Sequence, residues 1–148
     1  MKNDIIQEIS FHNQSAKNFN QNIEELIPFL TQLLVEHYSV PQFVINIIFL
    51  STENIVEMNK TFLNHDYATD VITFDYSDEF ELFTGDLFLC PDVLFQNASD
   101  LHLNMDEELV RVICHGLLHL IGYNDIEEQE VQKMREQEEF CLELYRAR

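Results

Sequence analysis

Basic residues are scarce in this chain: eight Lys and Arg stand against 27 Asp and Glu in 148 residues, a formal net charge of −19. No whole-molecule field steers it toward nucleic acid or an anionic membrane, so such a partner requires a local basic patch or a screening cation. Glycine and proline number only three each while Phe reaches 12 and hydrophobic residues 46%, which excludes a disordered or low-complexity chain. The three cysteines, Cys90, Cys114 and Cys141, are odd in number and form no CxxC, so they read as reduced thiols of a cytosolic protein. Cys114 adjoins His115 but points about 100 degrees away from it on a helix, toward core packing. No apolar run approaches the roughly 18 residues that span a bilayer, and "MKNDIIQEIS" lacks the h-region of a signal peptide. The expectation is a soluble, cytoplasmic protein without membrane contact. With no repeat, linker or charge block, residues 1–148 read as a single domain with one core.

Hydrophobic periodicity supplies the elements. A strand is predicted near Ile5 to Phe11, then a helix with Ile23, Leu26, Ile27, Leu30, Leu33 and Leu34 at helical spacing, regular only from about Glu25 because of Pro28. "FVINIIFLS" is a continuous β-branched run and reads as a buried central strand. "STENIVEMNKTFL" reads as a short helix capped by Ser51, "DVITFDY" and "GDLFLC" as two strands joined by an acidic turn around Ser77 to Glu79, and Pro91 as the start of a helix through about Leu101. Asn104 with Glu107 forms a capping-box pattern ahead of a helix from Met105 to Ile121, apolar nearly all round and so buried. The last helix, Ile126 to Tyr145, buries Val131, Met134, Leu142 and Tyr145 and turns a Glu-rich face to water. Interleaved strands and helices without strict βαβ alternation predict an α+β fold, a small mixed β-sheet packed by helices.

The chemistry concentrates in "HGLLHLIGYND". His115 and His119 lie one turn apart on a helix and can present two imidazoles to one point, in the manner of a zincin-like metal helix. Gly122 permits a left-handed turn that returns the chain past them, and Asp125 follows as a third, oxygen donor. Each residue also has a plainer explanation: core histidines bonded to backbone, a glycine helix cap, and Asp125 as N-cap of the last helix with Glu128 at the box position. A shared metal satisfies both imidazoles at once, and Asp125 has an oxygen for each task. Two nitrogens and one oxygen suit a single Zn2+, with nickel, manganese and iron as alternatives. Three protein ligands leave a position open, the mark of a catalytic zinc, where a water with its pKa brought to about 7 can attack a phosphodiester or an amide. Gly116 stands where HExxH proteases carry their glutamate, which makes a peptidase the weaker reading.

The stretch resembles the hallmark HGxLHLxGYDH of the YbeY-like bacterial endoribonucleases, matching at His115, Gly116, Leu118, His119, Leu120, Gly122 and Tyr123. Upstream, Asn59, Phe62 and Thr69 to Phe74 resemble the family's Asn-x-x-Tyr/Phe and Thr-Asp-Val-Leu-Ser-Phe runs, "GDLFLC" its Gly-Asp-Ile strand, and Arg111 an arginine one turn before the first ligand. The resemblance implies a single-strand-directed, metal-dependent endoribonuclease acting on rRNA 3′ ends and in ribosome quality control. It also implies RNA and the ribosome or small-subunit proteins as partners, and a metal cleft along one edge strand. Asp70 and Asp86 match family positions with roles left open between metal, RNA and turn, and His65 and Asp66 stand in a nearby loop.

Two departures stand out. Asn124-Asp125 replaces the family's Asp-His, so a carboxylate takes the place of the third imidazole and weakens the Lewis acid. Leu63 occupies the position of a family arginine, and Arg111 or Lys60 is expected to substitute for it in part. The competing readings are a zinc peptidase or amidase, and a non-catalytic ribosome-assembly module with a structural metal or none. No general base is assigned.

Overall fold

The computed structural model describes residues 4–19, 22–65, 69–77 and 82–148. In chain order these form strand β1 (Gln7–Asn13), helix α1 (Leu26–Gln32), strand β2 (Phe43–Phe49), helix α2 (Thr52–Leu63), strands β3 (Val71–Asp75) and β4 (Phe83–Leu89), and helices α3 (Pro91–Asp100), α4 (Met105–Leu120) and α5 (Glu128–Arg146). A 3-10 turn, Ile23–Glu25, precedes α1, and a π-helical turn, Leu33–His37, follows it. The expected single helix over this stretch is therefore three short pieces. Pro28 sits in the first turn of the regular part, where its missing N–H costs nothing.

The strands form one mixed sheet, as the interleaved pattern predicts, and its order is β1-β2-β4-β3. β1, β2 and β4 run parallel, and β3 is antiparallel to β4 at the edge. The "FVINIIF" run is interior, with neighbours on both sides. Its period of two divides the core: Phe43, Ile45, Ile47 and Phe49 face the cluster shared with α1, α4 and α5, while Ile48 joins Ile55 of α2 and Ile72 of β3 on the opposite face.

α4 is the central helix, buried along Leu109, Val112, Ile113, Leu117 and Leu120. Met105 is an exception to the expected apolar face, being 46% exposed at the first position of the helix. The α4 start is capped as predicted, with Asn104 Oδ1 accepting from Glu107 N at 3.0 Å. All three cysteines are buried and free. No helix among the described residues is long and apolar enough to cross a membrane.

Candidate metal centre

Gly116 and Gly122 set the backbone of the site for different reasons. A Cβ on Gly116 would stand 2.5 Å from Leu87 Cδ2, so α4 rests directly on β4 and any larger side chain would have to displace Leu87. Gly122 has φ +110, with Gly122 N donating to His119 O and Tyr123 N to Leu118 O. This is a Schellman end, as the helix-cap explanation requires. The same turn swings residues 123–125 back over the helix, so the cap and the site are one construction.

Asp125 does not cap α5. That role falls to Glu127, whose box partner is Glu130, two positions later than the pairing expected of Asp125 and Glu128. Its carboxylate is thereby free to face the rings. Asp125 Oδ2 lies 3.5 Å from His115 Nε2 and 3.3 Å from His119 Nε2, and the two Nε2 atoms are 3.1 Å apart. The structure thus brings together the three residues singled out in the sequence as one group able to hold a metal ion.

The other ring nitrogens fix the proton positions. His119 Nδ1 lies 2.9 Å from Tyr123 O, and a carbonyl can only accept, so Nδ1 carries the hydrogen. His115 Nδ1 is 2.9 Å from Glu138 Oε2 and donates likewise. With both rings neutral, the two Nε2 atoms turn lone pairs toward each other and toward a carboxylate oxygen. Three acceptors converge with no donor between them, an arrangement that repels itself unless a cation sits at its centre. A proton could bridge one pair only; a metal ion engages all three.

Glu138 escaped the sequence reading, which assigned the acidic residues of α5 to solvent. It is 7% exposed. Its Oε1 accepts from Arg111 Nη1 at 2.6 Å while its Oε2 accepts from His115. Burial acts to raise its pKa, but the hydrogen bonds and charges of His115 and Arg111 outweigh it, leaving the carboxyl below its ordinary range. Arg111 also binds Glu108, which is buried on α4. A signal for Glu138 does exist in the sequence: it lies four residues after Met134 and four before Leu142, on the apolar stripe of α5.

The triad closes one end of a cleft of about 530 Å3 that runs along β3, the edge strand, and is lined also by Leu63, Asp70 and Asp75. The edge-strand location agrees with what the resemblance implies. Asp86 lies elsewhere: its Oδ1 accepts from Asn46 Nδ2 at 3.1 Å across the β2–β4 pair, a bond internal to the sheet. His65 follows the end of α2, its N–H donating to Asn59 O at 3.2 Å, and does not line the cleft; Asp66 is outside the described residues. The expected stand-ins for the missing arginine are not at this cleft. The Arg111 guanidinium is held by two carboxylates, and Lys60 is exposed on α2 and lines no part of it.

A family model described as endoribonuclease YbeY matches residues 8–146. An endoribonuclease YbeY from Cytophaga hutchinsonii is 44% identical over 109 residues, covering 74% of this chain and 75% of that protein. Another, from Azobacteroides pseudotrichonymphae, is 45% identical over 103 residues, covering 70% and 73%. The solution structure of TM1509 from Thermotoga maritima matches with a TM-score of 0.60 at 26% identity, over 90% of this chain and 87% of its own. Because the family match runs from within β1 to the last residue of α5, it takes in every element that builds the histidine–carboxylate group, and the chain belongs to the endoribonuclease YbeY family.

Proposed function

We propose that this chain is a metal-dependent endoribonuclease that cuts single-stranded RNA, acting on rRNA 3′ ends and in ribosome quality control, with one Zn2+ held by His115, His119 and Asp125. The observation that carries the reading is the convergence of two imidazole Nε2 atoms and a carboxylate oxygen, 3.1 to 3.5 Å apart, on the wall of a cleft. Zinc is chosen because two imidazole nitrogens and a carboxylate oxygen suit it, and its tetrahedral bonds of about 2.0–2.2 Å put ligand atoms about 3.3–3.6 Å apart, the range of both Asp125–histidine separations.

When bound, the ion supplies Lewis acidity, lowering the pKa of a water and drawing charge from a phosphodiester. The chain's own residues prepare that chemistry. Glu138 and Tyr123 O hold the two imidazoles in the tautomer that aims their lone pairs inward. Asp125 adds a negative charge where a third imidazole would add none, which tempers the acidity of the ion. Among the described residues β3 is paired on one side only, so its other edge has backbone groups to offer an extended strand.

A peptidase is disfavoured by Gly116, which leaves no carboxylate beside the first histidine and no room for one unless Leu87 is displaced. A purely structural metal is disfavoured because only three donors converge among the described residues, whereas structural zinc sites have four. The reading includes a cytoplasmic location and docking to the ribosome or its small-subunit proteins. The charge of −19 supports such docking over unaided capture of free RNA.

Metal analysis of the purified protein should find one equivalent of zinc, lost in His119→Ala. The loaded protein should cut a single-stranded oligoribonucleotide, spare its duplex, and fall silent on chelation. Equal metal content in the two proteins would remove the site.

A further inference from the structure

On the α5 side of the triad lies a second groove of about 460 Å3, within the roughly 300–1,000 Å3 of small-molecule sites. Val131, Met134 and Leu142 give it an apolar floor, and Arg135 stands at its rim. His115 and Asp125 line both this groove and the β3 cleft, so the two cavities meet at the triad. A strand lying across the triad has room on either side.

Charge decides what the second groove is for. The β3 cleft is lined by Asp70, Asp75 and Asp125 and by no lysine or arginine, so a polyanion placed there has no cation to meet it except a metal ion. On the α5 side, Glu138 has both oxygens engaged, by Arg111 and His115, and Glu139 accepts from Arg146. Arg111 is spent on Glu108 and Glu138, Lys17 on Asp92, and Arg148 lies over the Tyr145 ring. Lys60 and Lys133 line neither cavity. Arg135 is exposed and, among the described residues, has no hydrogen-bond or ion-pair partner. It is the one unengaged cation in either cavity at the triad, among those residues. A guanidinium is planar, weakly hydrated and able to grip two phosphate oxygens at once.

We propose that the α5 groove is a nucleotide subsite, in which Arg135 binds the phosphate flanking the bond to be cut and the apolar floor takes the face of the adjoining base. The inference rests on the ribonuclease reading above and assigns the side from which the strand is held.

The test compares Arg135→Ala, Arg135→Lys and Arg148→Ala in the zinc-loaded protein. Arg148→Ala removes the same charge beyond the end of α5. Two readouts are taken: steady-state cleavage of a single-stranded oligoribonucleotide, and anisotropy binding of single-stranded DNA as an uncut analogue. Arg135→Ala should raise KM and Kd about tenfold while kcat stays within about twofold, and should lower the slope of log Kd against log salt by about 0.7. Zinc content should be unchanged, Arg135→Lys should recover part of the affinity, and Arg148→Ala should match wild type. The inference is overturned if Arg135→Ala binds and cuts like Arg148→Ala, or if kcat falls with Kd unmoved. A wild-type protein that holds zinc yet neither binds nor cuts either strand overturns the ribonuclease reading, and this subsite with it.

Discussion

Glu138 is the residue on which the two halves of the site depend, since one carboxylate orients His115 and neutralises Arg111. Glu138→Gln should weaken zinc binding about 10- to 100-fold in a competition titration against a chromophoric chelator, with the fold retained. Acid should act through the same group. Its folded pKa lies below the ordinary value of 4.5, so its contribution to stability is complete above that value and is lost as pH falls through the lower, folded one. Urea unfolding of the metal-free protein should therefore show stability declining below about pH 4.5, and Glu138→Gln should flatten that decline. At this scale the grouping of His115, His119 and Asp125 is legible because i, i+4 histidines and a turn-forming glycine have few arrangements open to them. Glu138 was not, because a glutamate on a helix with many others reads as solvent-facing until its place on the Met134–Leu142 stripe is noticed. The cap of α5 differs from the expectation because two carboxylates two residues apart can serve it, and Glu127 does so.

At the scale of elements, two glycines test two different constraints. Gly116→Ala sets a methyl against Leu87 within a filled interior and should cost about 1–3 kcal/mol, read from denaturant midpoints. Gly122→Ala meets no neighbour within 4 Å, so its cost is backbone strain at φ +110, about 1–3 kcal/mol, accompanied by weaker zinc binding as Asp125 shifts. The first change should leave metal affinity largely intact; the second should not. The long helices α4 and α5 lie near their predicted bounds because periodicity repeats many times along them, and β2 does because its apolar run is unbroken. The region around α1 is less regular than its spacing predicts, because a 3-10 turn before it and a π-helical turn after it keep an apolar spacing that is still close to helical. β1 begins two residues later than expected, at Gln7, where pairing with Phe43 of β2 starts.

For the whole molecule, the core is built independently of the site: the main apolar cluster runs from β1 to α5, and the triad lies at its margin on partly exposed side chains. Chelation should therefore leave the secondary structure intact by far-UV circular dichroism and lower Tm only by the linkage to bound ion, about 2.7 kcal/mol at a free concentration one hundred times Kd. Unfolding on chelation would instead indicate a structural metal. The seating of Gly116 on Leu87 also limits what descendants of this chain can become. Conversion to a peptidase begins, on paper, with one exchange that places a carboxylate after the first histidine. Here that exchange would press a side chain onto Leu87 at the centre of the α4–β4 contact, so the carboxylate could enter only if the core beneath the histidine helix were rebuilt with it.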